Sequence, residues 1–319
     1  MKLSIVIPVY YNEDNLRPLY DDLKTKVLDT IDYDYEIIMV NDGSKDGSLN
    51  VIKELADKDP NIKYYSLSRN FGSHSACLCG LLNSTGDCAV IKAADLQEPS
   101  ELILDMVESW KSGNNVVLAC RADREEGIFQ KMFAKTYYWI VRKFALSNMP
   151  KKGFDVFLID KKVINVLASL DETNSSITCQ ILWSGFKTGQ VSYTRKAREI
   201  GKSKWTLKKK IRLVMDTLFS FSTVPIKFVT TIGSLSIIGA VAWAIYILIG
   251  YFNNDISIEG WTTSILFSLF SFGVIMLSLG IIGEYTWRMF DSTRNRPPYI
   301  IEESGSCKHH DSCEDEKQH

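Results

Sequence analysis

Two stretches of the chain that lack any charged side chain, residues 228–254 and 261–283, limit the possible folds more than any other feature. A helix that spans a membrane needs about 20 mostly apolar residues, and both stretches exceed that length. We therefore predict two transmembrane helices, at 228–252 and 261–287, in preference to the buried hairpin of a soluble protein.

The segments that flank these stretches are basic. Residues 206–227 combine apolar positions at helical spacing with neighbouring lysines, which predicts an amphipathic juxtamembrane helix at the membrane interface. The second stretch is followed by Arg288, Arg294 and Arg296, whereas the loop at 253–260 has two acidic residues and no Lys or Arg. Because positive flanks stay in the cytoplasm, we expect a multi-pass protein of the inner or plasma membrane with a cytoplasmic N-terminal domain.

The first 205 residues alternate between strand-like and helix-like patterns. Strand-like runs at 3–9, 35–40, 62–67, 87–94 and 116–120, the first of them rich in Ile and Val, alternate with segments of helical spacing. This alternation predicts an α/β domain over residues 1–205 with a mainly parallel sheet. A second interfacial helix is expected at about 128–146, and the polar residues 302–319 are expected to form a disordered tail.

The overall charge and the cysteines bear on partners and compartment. A formal net charge of −1 argues against a nucleic-acid partner, because such proteins attract the phosphate backbone with a positive field. The seven cysteines are odd in number and most lie in apolar segments, which indicates reduced thiols in the cytosol. No Gly-x-Gly-x-x-Gly follows the first strand and no Gly-x-Ser-x-Gly occurs, so dinucleotide-binding and serine-hydrolase chemistry are disfavoured.

Polar residues cluster where the predicted strands end. Tyr10 follows the first strand, Asp42 the second, and Asp95 with Gln97 the fourth. Ligands of open parallel sheets bind beyond the carboxyl ends of the strands, so we expect a site at this edge. The oxygens of Asp95 and Gln97 suit Mg²⁺ or Mn²⁺ bound to a diphosphate, although an Asp after a strand also fits a simple turn.

Four motifs together resemble glycosyltransferase family 2. They are residues 4–10 with Asn12 and Glu13, then 41–44, 68–72 and 94–99, which read SIVIPVY, NDGS, SRNFG and ADLQEP. Gly201, Ser203 and Lys204 after Arg198, residues 220–222 before Pro225, and residues 283–285 narrow the resemblance. The chain is similar, over about residues 2–300, to polyisoprenyl-phosphate glycosyltransferases, relatives of dolichol-phosphate mannose synthase, and above all to their bacterial two-span branch.

This resemblance implies a GT-A fold and an inverting transfer. The sugar, glucose, GlcNAc or a similar one, would move from a nucleotide sugar, with a UDP-sugar favoured, to polyprenyl (undecaprenyl) phosphate in the membrane. The product would serve modification of cell-envelope glycans, and a homo-oligomer is expected.

The resemblance also implies roles for individual residues. The donor nucleotide would be bound by Pro8, Tyr10, Glu13 and Asp42, and the metal by Asp95 and Gln97. Catalytic roles would fall to Asp95 and Asp155, and the acceptor phosphate would be bound by Arg121, Lys135, Arg198 and Lys204.

One departure from the family pattern keeps two other functions open. Members usually carry Asp-x-Asp-x-Gln at the metal loop, and here the first carboxylate is replaced by Ala93. Loss of one ligand should weaken divalent binding, or the chain could be a non-catalytic member that has lost turnover. A processive polysaccharide synthase is the other alternative, although two spans are few for a chain-conducting pore.

Overall fold

A computed structural model of the protein describes residues 1–121, 128–154, 156–170, 176–194, 207–252, 260–294 and 296–306. Within these ranges the chain forms one eight-stranded sheet, flanked by helices on both faces, and ends in two long apolar helices. The strands are β1 Lys2–Val9, β2 Asp34–Asn41, β3 Ile62–Leu67, β4 Cys88–Ile91, β5 Val116–Arg121, β6 Val156–Asp160, β7 Thr188–Tyr193 and β8 Ile301–Ser306.

Ten α-helices occur in the described part of the chain, with a short 3-10 turn at Leu28–Thr30. They are α1 Glu13–Lys26, α2 Ser48–Lys58, α3 Ser73–Leu82, α4 Leu102–Lys111, α5 Ile128–Phe144, α6 Lys161–Ser169, α7 Ile177–Trp183, α8 Leu207–Phe221, α9 Val224–Phe252 and α10 Trp261–Thr293.

The sheet is mainly parallel. Its strand order is β7-β5-β6-β4-β1-β2-β3-β8, and β1, β2, β3 and β4 run parallel to one another. Strand β6 is antiparallel to both β4 and β5, so β5 points the same way as β4, and β8 is antiparallel to β3. The predicted α/β class with a mainly parallel sheet, as in a GT-A fold, is confirmed.

Two hydrophobic cores lie on the two faces of the sheet. Successive side chains of a strand point to opposite faces, so Ile5 packs in the core with α1, α2 and α4, while Val6 packs in the core with α3, α6 and α7. All of the apolar residues of β1 from Leu3 to Ile7 are fully buried. Burial on both faces explains why these strands are continuous apolar runs.

The structure corrects the sequence-based boundaries at two places. Strand β4 ends at Ile91 and not at Ala94, because the backbone turns after Lys92, whose amide still donates to Val6 O at 2.9 Å. Residues 302–306, expected in a disordered tail, instead belong to β8. Residues 307–319 lie outside the described residues.

Strand β8 is held by main-chain pairing with β3 and by the side chain of Glu303, and most of its residues are exposed. Its Glu303 accepts a hydrogen bond from Tyr64 Oη at 3.0 Å and pairs with Lys53 Nζ at 2.6 Å. Ile300 O, just before the strand, accepts a hydrogen bond from Ser68 N at 3.0 Å. The segment lacks apolar alternation, which is why a pattern search overlooks it.

Helices α9 and α10 are long and apolar enough to span a membrane. The spanning candidates are Val224–Trp243 and Phe267–Thr293, and α9 packs against α10. Large apolar side chains point outward from both helices, including Ile238 at 64% exposure and Phe272 at 58%. Apolar surface of this extent is typical of contact with lipid.

Candidate functional site

The carboxyl ends of three adjacent strands form the edge where the candidate site lies. Strands β1 and β2 end in register at Val9 and Asn41, and Asp42 N donates to Val9 O at 2.9 Å. On the other side of β1, Val6 pairs with Ile91 of β4. The loops that carry Tyr10, Asp42 and Asp95 therefore leave the sheet side by side, as the sequence predicts.

The carboxylate of Asp42 accepts hydrogen bonds from main-chain amides of a neighbouring loop. Its Oδ1 accepts a hydrogen bond from Phe71 N at 2.7 Å, and its Oδ2 accepts one from Gly72 N at 3.0 Å. Burial raises the pKa of Asp42 above its usual value, although these amides and Arg69 act in the opposite direction. The carboxylate thus fixes residues 68–72, a motif whose role is not evident from the sequence.

Gly43 allows the close approach of these two loops. Its φ is +62°, and a Cβ at this position would contact the backbone of Arg69 and lie 2.6 Å from Asn70 N. Backbone atoms cannot move aside as a flexible side chain would, so only glycine fits here.

We expect Gly43→Ala to displace the loop at 68–72 and to raise the KM for the nucleotide sugar that the resemblance implies about tenfold or more, because strain of this kind costs about 1–3 kcal/mol. The matched control is Gly185→Ala, since Gly185 has a similar φ of +71° but its Cβ would meet only Trp183 O, at an ordinary contact distance of 4.0 Å. Donor KM and the thermal midpoint in detergent would be measured for both. Equal effects of the two substitutions would show that left-handed strain, and not the loop contact, is responsible.

The loop after β1 is tied to the loop after β2. Tyr11 N donates to Ser44 Oγ at 3.1 Å, and Glu13 accepts a hydrogen bond from Gly47 N at 2.8 Å. Tyr10 and Tyr11 are 38% and 41% exposed, with ring centroids 4.7 Å apart in an edge contact. Pro8 lies half-buried near the end of β1. The carboxylate of Glu13 therefore shapes this edge by holding a neighbouring loop.

The loop that follows β4 carries the predicted metal ligands. Gln97 N donates to Asp95 Oδ1 at 3.3 Å, and Leu96 between them has a φ of +57°, so the two side chains belong to one tight turn. Within the described ranges there is no group of three or more His, Cys, Asp or Glu side chains able to hold a metal ion. One carboxylate and one amide fit a divalent ion whose other ligands are diphosphate oxygens and water.

A buried lysine lies beneath this loop. Lys92 is 1% exposed, and its Nζ donates to the main-chain oxygen of Glu98. Burial lowers the pKa of Lys92, while the nearby carboxylates of Glu98, Asp22 and Asp95 favour its charged form. The sequence does hold a signal for this residue, a single charge within an apolar strand run, but pattern analysis assigns it no role.

The predicted acceptor-phosphate residues are only partly described. Arg121 ends β5 at the same edge of the sheet and is 8% exposed, whereas Lys135 is exposed on α5. Arg198, Lys204 and Asp155 lie outside the described residues. The structure therefore brings the residues predicted to bind the donor and the metal to one edge, and it places Arg121 on that edge two strands away from β4. All of these roles, including the acceptor role of Arg121, stay predictions.

His74 has a structural contact that sequence reasoning misses. Its Nδ1 accepts a hydrogen bond from Ile177 N at 2.9 Å, which joins the start of α3 to the start of α7. Burial lowers the pKa of His74 to about 4, so the ring is neutral at physiological pH. This contact favours a packing role over a catalytic one.

A cavity of about 690 Å³ lies between α8 and α10. Its walls are mostly apolar and include Phe219 and Ile281. At one side Arg288 of α10 joins the two helices, because it pairs with Asp216 of α8 at 2.8 Å. It also pairs with Glu284 of its own helix at 2.9 Å. The cavity thus combines an apolar lining with an ionic cluster at the end of a candidate membrane span.

Comparison with known proteins bears on the whole chain. Residues 4–164 match the model of glycosyl transferase family 2. The uncharacterized glycosyltransferase YkcC of Bacillus subtilis (strain 168) is 37% identical over 305 residues, 95% of this chain and 94% of that protein. The SfII prophage-derived bactoprenol glucosyl transferase of Shigella flexneri is 33% identical over 309 residues, 95% and 98% of the two chains.

Solved structures are more distant. The crystal structure of S. aureus TarS residues 1–349 in complex with UDP-GlcNAc is 16% identical, covers 69% of this chain and 67% of that one, and has a TM-score of 0.47.

Proposed function

The chain belongs to glycosyl transferase family 2 and is a glycosyltransferase, and from this premise we propose that it moves a hexose from a nucleotide sugar to polyprenyl phosphate at a membrane. The observation that carries the proposal is the similarity to a bactoprenol glucosyl transferase over nearly the full length of both chains. A UDP-sugar is the favoured donor, and undecaprenyl phosphate the favoured acceptor.

The transfer needs no protein base to create the nucleophile. A phosphate monoester has a second pKa near about 6, so at neutral pH the acceptor is largely a dianion. One of its oxygens forms a bond to the anomeric carbon of the sugar, while the bond from that carbon to the donor diphosphate breaks. The leaving nucleoside diphosphate takes the electron pair, and attack from the opposite face converts an α-linked donor into a β-linked product.

The protein's task is then to position the two substrates and to stabilise the leaving group. We assign the nucleotide to the edge formed by Pro8, Tyr10, Glu13 and Asp42. The hydrogen bonds from Phe71 N and Gly72 N to the carboxylate of Asp42 support this, since they fix residues 68–72 against the loop that follows β2. Asp95 and Gln97 would hold Mg²⁺ or Mn²⁺, which supplies charge neutralisation to the diphosphate when bound.

The acceptor is expected to arrive from the membrane. We propose that α9 and α10 span the inner or plasma membrane and keep the α/β domain in the cytoplasm, with α5 and α8 at the interface. The apolar cavity between α8 and α10 suits the polyprenyl chain of the acceptor, and its phosphate would be bound by Arg121, Lys135, Arg198 and Lys204. Self-association through the membrane part stays an expectation.

A donor panel tests the proposed function. Membranes that contain the chain would be incubated with undecaprenyl phosphate and radiolabelled UDP-glucose, UDP-GlcNAc or GDP-mannose, and label in the organic phase would be counted. We expect one donor to give organic-soluble label. Lack of transfer with every donor would support the non-catalytic alternative, and label in a large insoluble polymer would support a processive synthase.

Arg198→Ala tests the acceptor site. We expect it to raise the KM for polyprenyl phosphate about 10- to 100-fold, because charge-assisted hydrogen bonds contribute about 1.5–3 kcal/mol each. Donor KM should change little. Arg17→Ala is the matched control, since Arg17 is exposed on α1 and pairs with Glu54. An unchanged acceptor KM for Arg198→Ala removes that residue from the acceptor site.

A further inference from the structure

The segment that leaves α10 returns to the sheet beside the candidate site. Helix α10 ends at Thr293, and Ile300 O accepts a hydrogen bond from Ser68 N at 3.0 Å. Strand β8 then runs along the edge of β3. The proposed function assigns no role to residues 299–306, which we call the return segment.

Several contacts fasten the return segment to the α/β domain. Strand β8 pairs with residues 63–67 of β3, which lead directly into the loop at 68–72. Its Glu303 accepts a hydrogen bond from Tyr64 Oη at 3.0 Å. Tyr299, just before the strand, is half-buried and packs against the core that contains α3, α6 and α7. The return segment is therefore an integral part of the α/β domain.

A short connection to α10 explains how a strand with few buried residues can form. Seven backbone steps separate Thr293 from Ile300, and an extended chain covers at most about 3.6 Å per residue, so these two residues lie within about 25 Å of each other. Helix α10 is itself held to α8 by the pair of Arg288 with Asp216 at 2.8 Å. A short tether of this kind raises the effective concentration of the return segment at the edge of β3.

The loop at 68–72 is held at both of its ends. Its first residue donates a main-chain hydrogen bond to Ile300 O, and its last two residues donate theirs to the carboxylate of Asp42. Asp42 is one of the residues that we assign to the nucleotide. A loop that is already ordered in the free protein loses less conformational entropy when a ligand binds beside it.

We propose that the return segment is a positioning element of the donor site, which holds the start of the loop at 68–72 so that the amides at its end reach Asp42. The inference rests on the proposed function, since it takes Asp42 to belong to the nucleotide site. Without the return segment the loop is held from one side only, and donor binding has to order it. The KM for the donor should then rise, while kcat and the KM for the acceptor change little.

Two shortened chains in detergent test this inference. A chain that ends at Pro298 lacks the return segment, whereas a chain that ends at Ser306 lacks only residues 307–319. In the chain that ends at Pro298 we expect the amides of residues 68–72 to exchange with deuterium about tenfold faster or more. Its Kd for UDP or GDP, whichever the wild type binds in the presence of Mn²⁺, should rise about tenfold in calorimetry. The chain that ends at Ser306 should match the wild type in both measurements.

Variants of the full chain make the test specific, and they replace it if the shorter chain does not fold. Tyr299→Ala removes the half-buried anchor of the return segment and should raise both the exchange rate at 68–72 and the nucleotide Kd about threefold or more. Tyr299→Phe keeps the packing and should change neither. Leu23→Ala is the destabilised control, because Leu23 is fully buried in the core on the other face of the sheet. It should lower the thermal midpoint but leave loop exchange and nucleotide affinity within about twofold of the wild type.

Three results would overturn the inference. The first is slow exchange at 68–72 in the chain that ends at Pro298. The second is faster exchange there with an unchanged nucleotide Kd, which would mean that the return segment holds the loop without a role in donor binding. The third is an equal loss of affinity in Leu23→Ala, which general destabilisation would explain. A wild-type chain that binds neither UDP nor GDP would instead contradict the proposed donor, and the exchange rates would still decide whether the return segment holds the loop.

Discussion

Replacement of Asp95 by alanine should abolish sugar transfer. Asp95 supplies a half-buried carboxylate in the loop after β4, where the diphosphate of the donor is expected to bind, whereas the carboxylate of Glu98 in the same loop is buried. On the proposal that Asp95 would hold the metal at the leaving diphosphate, its loss removes stabilisation that exists mainly in the transition state, so we expect kcat to fall about 10³-fold or more. Transfer of radiolabel to undecaprenyl phosphate, measured with the favoured donor, provides the rate.

A control variant and the metal dependence of the wild type show whether activity is lost because a metal ligand is removed or for another reason. Asp105→Ala removes an exposed carboxylate of α4, which belongs to no proposed site, and should leave the rate unchanged. Wild-type enzyme in EDTA should also lose transfer, and Mn²⁺ should restore it. Full activity in EDTA together with an inactive Asp95→Ala would assign Asp95 a role other than metal binding, and an active Asp95→Ala would contradict the catalytic assignment altogether.

Local sequence patterns predict the centre of this fold well. The predicted bounds of the first three strands lie within one residue of the observed ends. Strand β1 and residues 37–40 of β2 are buried apolar runs, as expected for strands covered on both faces of a parallel sheet, whereas β3 contains Lys63 and Ser66 and is only partly buried. The edge of the candidate site follows from the same topology, since Tyr10 and Asp42 come directly after β1 and β2, and Asp95 lies in the loop that follows β4. These features are predictable because they depend on local sequence patterns.

Features that depend on distant partners were not predictable. Strand β8 has few apolar residues, and it forms because β3 offers an unpaired edge more than 230 positions earlier in the chain, as the hydrogen bond between Tyr64 and Glu303 illustrates. The hydrogen bonds from Phe71 N and Gly72 N to the Asp42 carboxylate likewise join two motifs that sequence analysis finds but cannot connect. Buried charges such as Lys92 fall into apolar runs, where a pattern search treats them as interruptions.

Glu36 is a second buried charge of this kind, and we expect its removal to destabilise the domain strongly. Its side chain is 2% exposed in β2, and its Oε2 lies 2.9 Å from Lys63 Nζ of β3. Its Oε1 accepts hydrogen bonds from Ser4 Oγ of β1 and from Thr85 N, each at 2.6 Å. One carboxylate thus joins β1, β2, β3 and the turn before β4, at the end of the sheet opposite to the site.

Glu36→Ala leaves these donors unpaired in the interior and should cost about 3–5 kcal/mol, or about 10 °C in the thermal midpoint of the α/β domain. The matched control is Glu54→Ala, because Glu54 also pairs with two cations, Arg17 and Lys58, but lies on the surface, where such pairs contribute little. Unfolding in detergent would be followed by circular dichroism. Similar losses for both substitutions would show that the buried network contributes no more to stability than a surface ion pair.

The same carboxylate predicts how stability depends on pH. Burial opposes the charge of Glu36, but the hydrogen bonds from Ser4, Thr85 and Lys63 outweigh it and lower the pKa from 4.5 to about 2. Because the folded pKa lies below the unfolded one, the stabilisation is complete above about pH 4.5 and is lost as the pH falls toward 2. Between pH 5 and 2 the thermal midpoint of the wild type should therefore fall more steeply than that of Glu36→Ala, and parallel curves would mean that Glu36 is not the group that titrates.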